Sequence, residues 1–188
     1  MKTAQSLTTT ITEHDYLHGE KLSSERHEYV DGQVYLMAGA SKHHSEIAVN
    51  LTTALRLGSR KTACKVYASD MKVRVVGRKT YYYPDVVVSC ESDDADNYYL
   101  EKPCLIIEVL SASTAKRDRS EKLLAYMNIP TLQTYLLVEQ DKVEVEIFYK
   151  DIEGRWWVET FNDLTAVLQL SCPELSISLA EIYEGIEF

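Results

Sequence analysis

Hydrophobic and polar positions follow three patterns along the chain, and each predicts a different kind of element. Two short runs are apolar on both sides, Pro84-Asp85-Val86-Val87-Val88 and Leu105-Ile106-Ile107-Glu108-Val109-Leu110. Rich in β-branched residues, they read as strands buried on both faces of a sheet that helices cover. Strict alternation marks residues 71–76, where Lys72 and Arg74 share one face and Val73 and Val75 the other, and recurs over 143–149 and 175–179, while 155–160 is read as the strand that pairs with 143–149. Helical spacing puts Ile47, Leu51 and Leu55 on one stripe, with Ala48 and Ala54 beside it, and predicts an amphipathic helix over 42–57. A shorter helix is expected over 12–22. A third carries Asp118, Lys122 and Tyr126 at intervals of four and ends near Asn128-Ile129-Pro130. Strands are also read over 65–70 and 133–138, and a final turn over 180–183. Asp31-Gly32 joins residues 24–30 to 33–37 as a hairpin, because that dipeptide readily supplies positive φ, and residues 151–154 join the second hairpin.

The two apolar runs each carry one carboxylate, Asp85 and Glu108. Burying an unpaired charge costs several kcal/mol, so each needs a partner, a metal or a place at a strand end. A hard cation such as Mg²⁺ is held by one or two carboxylates plus waters and substrate phosphates, which neighbouring strands could supply. The alternative is a pair of solvated strand ends. The helix that follows Glu108 brings Lys122 toward the two acids. There its ammonium could orient a water or stabilise charge on a phosphate, or form no more than a surface pair with Asp118 worth about 0.2 to 0.5 kcal/mol.

Pro84-Asp85, then Glu108-Val109-Leu110-Ser111, then Asp118, Lys122 and Tyr126 resemble the Uma2 group of the PD-(D/E)xK nuclease-like superfamily, over roughly residues 12 to 150. Arg26, Glu28 and Asp31-Gly32 match the opening motif of that family, and a histidine stands at the place of His44. In the common superfamily pattern a lysine follows the second acid by two residues. Here that position is Leu110, and Lys122 is the candidate replacement on the helix. The resemblance implies a restriction endonuclease-like α/β fold and Mg²⁺ or Mn²⁺ bound by Asp85 and Glu108. It further implies Lys122 as the residue that positions or deprotonates water, and Glu28 as a further catalytic acid. His44, Asp118 and Tyr126 are expected on the substrate side. For Glu28 a salt bridge with Arg26 or a neighbour remains the alternative, and for His44 a hydrogen-bonded packing role.

Composition changes this picture in three ways. The chain has 188 residues, 45% hydrophobic and 26% charged, which suits one domain over 1–188 with a sizeable core. No apolar run approaches the length of a bilayer span, residues 1–12 carry no apolar leader, and a cytoplasmic protein is expected. Cys64, Cys90, Cys104 and Cys172 are far apart with no CxxC pair, so reduced thiols are expected rather than a disulfide framework or a zinc site. The formal net charge of −9 opposes nucleic-acid binding. Yet eight basic residues lie between Arg56 and Lys79 against the single Asp70, and Lys116, Arg117 and Arg119 follow Glu108. Convergence of these segments on the carboxylates would make a phosphate track, whereas a solvated face would not. The acidic loop 91–97 lacks the spacing of a calcium site.

The expected architecture is therefore α/β, a mixed sheet flanked by helices with an additional C-terminal β-hairpin. The leading function is divalent-metal-dependent hydrolysis of phosphodiesters, with DNA as substrate by resemblance. Two other readings stay open. One is a catalytically inactive member of the same fold that binds nucleic acid or protein, and the other is an interaction protein that forms a homodimer through its aromatic surface.

Overall fold

Thirteen strands and five α-helical segments are built by residues 10–94 and 96–188, which the computed structural model describes. Much of the polar stretch 1–12 thus lies outside the described residues. Helix α1 (Glu13–Leu22) starts at Thr12, whose hydroxyl accepts the Asp15 N–H and so satisfies one of the free donors of the first turn. Strands β1 (His27–Val30) and β2 (Gln33–Leu36) form the expected hairpin, with Asp31 and Gly32 at φ 44° and 88°. Helix α2 (Lys42–Gly58) begins at Ser41 and buries Ile47, Leu51 and Leu55. Strands β3 (Lys65–Ala68), β4 (Lys72–Val75), β5 (Thr80–Tyr82) and β6 (Val86–Ser89) follow.

After the two-residue β7 (Tyr99–Leu100) comes β8 (Leu105–Leu110), all six of whose residues are buried. The helix expected after it is broken. A short α3 (Ala115–Arg117) passes into a π-helical turn over Asp118–Lys122 and then into α4 (Leu123–Tyr126). Such turns are uncommon and concentrate at functional sites. Strands β9 (Thr134–Glu139), β10 (Val145–Lys150) and β11 (Trp156–Phe161) form a meander, with β10 and β11 paired as the expected second hairpin. Strands β12 (Val167–Ser171) and β13 (Glu174–Ser178) make a separate hairpin before α5 (Leu179–Ile182).

The central sheet has the order β11-β10-β9-β8-β6-β3, and β8 and β9 run parallel. Its two faces are read directly from alternation. Val86, Val88, Leu105, Ile107 and Val109 join Ile47, Leu51 and Leu55 of α2 and the C-terminal hairpin in one core. Val87, Ile106 and Leu110 join Ala125 and Tyr126 of α4, with Val73 and Val75, in the other. A second sheet, ordered β2-β1-β5-β4-β7, brings β1 up to this face. Strand β8 is thus apolar on both faces, as its sequence predicts.

The cysteines overturn their expectation. Cys64 precedes β3 and Cys90 follows β6, and the β3–β6 register places them opposite one another. Cys104 precedes β8, and Cys172 sits in the β12–β13 turn. All four converge and pair as disulfides, Cys64 with Cys90 and Cys104 with Cys172. Separation in sequence hid this because strand register, not local spacing, sets the contact. Three short strands, β5, β7 and β12, also escaped the sequence reading. Strand β5 lies within a run of three tyrosines and β7 is only two residues long.

Candidate active site

Asp85 stands just before β6 and Glu108 within β8. The antiparallel register pairs Val86 with Ile107, and continued by one step it sets the two acids opposite each other. Both then point to the face that carries the broken helix. The Val109 N–H donates to Asp85 Oδ2 at 2.7 Å, and His44 Nε2 lies 3.2 Å from the same oxygen. His44 is fixed in turn by the N-terminus of α2, where its backbone N–H donates to Ser41 Oγ at 3.1 Å. Burial disfavours the charged imidazole, but the hydrogen bond and charge of Asp85 outweigh it, and the His44 pKa is raised.

Lys122 is the hub of the buried charges. Its Nζ lies 2.9 Å from Glu28 Oε1, 3.0 Å from Glu108 Oε1 and 3.2 Å from Asp118 Oδ1. All four residues are no more than 5% exposed. The pair with Asp118 is therefore no surface salt bridge, and the expectation of about half a kcal/mol for it does not apply. Burial works against the ammonium, yet Glu108, Glu28 and Asp118 more than offset that cost and hold its pKa well above the usual lysine value. For Glu108 the balance is reversed. Burial pushes its pKa well up, Lys122 pulls it down, and Asp118, Asp85 and Glu28 push it up again.

Two further side chains fix this hub. Arg117 donates to Glu28 Oε2 at 2.6 Å and to Glu121, and lies over the Tyr35 ring at 4.6 Å. The Tyr126 hydroxyl donates to Glu108 Oε1 at 3.1 Å, its ring packed edge-on against Tyr82 and Tyr135. Glu28 does not pair with Arg26, which instead contacts Asp70 at 3.2 Å. Asp118 and Tyr126 are 1% and 0% exposed. Both hold the hub, Asp118 through Lys122 and Tyr126 through Glu108, and of the two only Asp118 lines the cleft.

The site opens into a cleft of about 680 Å³ lined by Glu28, His44, Asp85, Glu108, Asp118 and Lys122, with Tyr35, Met37, Tyr83 and Arg117 on its walls. Of the basic segment between Arg56 and Lys79, no lysine or arginine lines it. Lys72 is buried against Tyr83, and Arg74 pairs with Glu13 and Glu101. Of the two alternatives for that segment, a phosphate track beside the carboxylates is not the one built, because none of its lysines and arginines lines the cleft. Arg119 is likewise held by Glu139 and Glu146. Arg117 enters the sequence reading only as one of the basic group Lys116, Arg117 and Arg119, and Tyr83 does not enter it. The signals available were adjacency, Arg117 to Asp118 and Tyr83 to Pro84-Asp85.

The donor set fits a hard divalent cation. Among the described residues, Asp85 Oδ1 and Glu108 Oε2 make no hydrogen bond, while the other oxygen of each acid is anchored. Glu28 Oε1 and Asp118 Oδ1 are buried and lack hydrogen-bond geometry, although both lie at ion-pair distance from Lys122. Four carboxyl groups line the cleft beside two permanent cations, Lys122 and Arg117, an excess of acids that suits a cation. No three carboxylate or imidazole donors of the cleft lie mutually within 4.8 Å among the described residues. The fit is thus to an ion held by two carboxylates and completed by water or phosphate oxygens, the habit of Mg²⁺.

The sequence profile of the Uma2 family, described as "Putative restriction endonuclease", matches residues 14–180. An uncharacterized protein of Synechocystis, slr1290, is 37% identical over 95% of this chain and 94% of its own length. A second, sll1609, is 35% identical over 81% of this chain and 88% of its own. Among solved structures, one described as a putative nuclease belonging to DUF820 from Anabaena variabilis superposes with a TM-score of 0.75. It covers 92% of this chain and 97% of its own at 18% identity. That likeness shows the fold.

Proposed function

Since the chain belongs to the Uma2 family over residues 14–180, we propose that it is a divalent-metal-dependent nuclease that hydrolyses phosphodiester bonds in DNA. The observation that carries this reading is the pairing of Asp85 and Glu108 across adjacent strands, each with one anchored oxygen and one free oxygen at the cleft. Asp85 and Glu108 would hold Mg²⁺ or Mn²⁺, which when bound supplies Lewis-acid polarisation of the phosphate and a more acidic water.

The chain's own residues do the rest. Lys122 keeps its proton, so its part is to orient Glu108 and to place positive charge beside the reacting phosphate, rather than to take a proton from water. Glu28 holds Lys122 and is held by Arg117, which keeps the ammonium aimed at the acids. His44 fixes Asp85 from the first turn of α2 and faces the cleft, where a phosphate oxygen would meet the imidazole ring and the N-terminal end of a long helix.

The test is nicking of supercoiled plasmid by the purified chain with Mg²⁺ and with Mn²⁺, beside Asp85→Ala and Lys122→Ala. Metal-dependent nicking that both substitutions abolish supports the proposal. No nicking by a folded wild type, together with no metal binding by calorimetry, would leave a binding module of the same fold. One observation favours that second reading, namely that both permanent cations of the cleft are already engaged by carboxylates.

A further inference from the structure

The four cysteines form a cluster that the proposed nuclease chemistry does not use. They come from four separate segments, before β3, after β6, before β8 and in the β12–β13 turn. Their sulfurs form one group rather than two separate pairs. Cys90 Sγ lies 3.1 Å from Cys172 Sγ and 3.6 Å from Cys104 Sγ, each a sulfur of the other disulfide. The sulfurs of Cys64, Cys90 and Cys172 all lie within 4.8 Å of one another. A tetrahedral ZnS₄ centre with Zn–S near 2.3 Å has an S···S edge of about 3.8 Å; three of the sulfurs already gather within the reach of one such centre, and Cys104, 3.6 Å from Cys90, stands beside them as the fourth donor. Cys104 is buried, and the others pack half-buried against the larger core, which is the closed setting of a structural site rather than an open catalytic one.

We propose that in its reduced state this cluster is a tetrathiolate zinc site, with Cys64, Cys90, Cys104 and Cys172 as its ligands. Reaching that state consumes two equivalents of a dithiol reductant. Each disulfide takes up two electrons and two protons, giving four thiols and two oxidised reductant molecules. Zn²⁺ then displaces the four thiol protons and is held by four thiolates. The soft thiolate set selects Zn²⁺ over the hard ion that suits Asp85 and Glu108. The two sites lie at opposite ends of the same strands, since Asp85 and Cys90 flank β6 on either side and Cys104 and Glu108 stand near the two ends of β8. At about 3.3 Å per residue that separates them by about 15 Å. The zinc site would fasten the C-terminal hairpin to the strands that carry the acids.

The experiment uses the full chain, reduced with a phosphine, freed of metal by a chelator and returned to Zn²⁺ or Co²⁺ without oxygen. One equivalent of zinc per chain is expected, with four thiols protected from a thiol reagent. Co²⁺ should give a thiolate charge-transfer band with tetrahedral visible bands. Cys172→Ser should lose at least tenfold in Zn²⁺ affinity, while Cys172→His, which keeps a fourth donor, should still bind one equivalent with an altered Co²⁺ spectrum. Three results would overturn the proposal: no stoichiometric zinc in the folded reduced chain, no Co²⁺ charge-transfer band, or equal zinc binding by Cys172→Ser, which marks adventitious metal. Because the readouts are metal content and spectra, they are independent of whether the chain cuts DNA.

Discussion

Lys122 Nζ stands 3.0 Å from Glu108 Oε1 although the two residues come from different elements, one from the π-helical turn and the other from a strand that is buried throughout. The extra residue of a π-turn shifts which side chains face inward. Here the turn carries both Asp118 and Lys122 into the interior. Leu110, the position two residues after the second acid, instead packs in the core with Ala125 and Tyr126. The ammonium reaches the acids from the helix because β8 spends that position on packing.

Removing this ammonium should be costly. Lys122→Met leaves Glu28, Glu108 and Asp118 buried without their common cation, and breaking a buried pair by deleting one partner costs about 3 to 5 kcal/mol. Urea denaturation at neutral pH is the measurement. The double variant Lys122→Met with Glu108→Gln should recover part of the loss, because it removes one of the stranded charges. A single variant within 1 kcal/mol of wild type would contradict the buried hub.

Tyr126→Phe separates positioning from packing. The ring stays against Tyr82 and Tyr135, but Glu108 Oε1 loses its hydroxyl donor. Residues that orient a metal ligand typically contribute 10- to 100-fold in metal affinity, so a weakening of Mn²⁺ binding in that range is expected, with stability reduced by only about 1 to 3 kcal/mol. Calorimetric titration with Mn²⁺ checks it. Unchanged affinity would mean that Glu108 does not depend on this hydrogen bond, or does not hold the metal.

Asp85→Asn tests the pair of acids without relying on turnover. A ligand that binds only the folded chain raises its stability by RT ln(1 + [L]/Kd), about 2.7 kcal/mol at a concentration 100 times Kd. The wild-type midpoint of thermal unfolding should therefore rise with Mg²⁺ and Mn²⁺. Asn keeps the shape of Asp85 and an acceptor for the Val109 N–H, yet it removes one charge, so the rise should largely vanish. An equal rise in both proteins would place the metal elsewhere.

The two strands that carry Asp85 and Glu108 were legible in the sequence because the signal is local. A carboxylate inside a β-branched run is anomalous wherever it occurs, and alternation tells which face it takes. The broken helix was not legible, since a period of four across Asp118, Lys122 and Tyr126 fits an α-helix as well as one with a π-turn inside it. Burial of the hub was also hidden. The acid that completes it, Glu28, belongs to the other sheet and reaches Lys122 only because β1 lies beside the helical run in three dimensions. The basic segment between Arg56 and Lys79 left two readings open for a related reason, because charge counted along the chain does not tell where each side chain points. The same holds for the cysteines, whose contact is a matter of strand register.

The second hairpin provides a prediction far from the site, and its sign follows from which protonation state the fold favours. Asp151 Oδ2 accepts the Trp157 indole N–H and the Arg155 guanidinium, both at 2.9 Å, and Oδ1 accepts the backbone N–H groups of Glu153 and Arg155. These donors, the indole first, hold the Asp151 pKa well below the model-peptide value of 3.8. A carboxyl depressed in the folded state contributes stability that is fully present above its unfolded pKa and is lost as pH falls through the folded one. The hairpin should accordingly be insensitive to pH from neutrality down to about pH 4, and should loosen only below that. The Trp157 indole N–H resonance reports it, with a titration midpoint well under 3.8 expected in the wild type and no such titration in Asp151→Asn. A midpoint at or above the ordinary aspartate value would show that these four donors do not hold the carboxylate in solution.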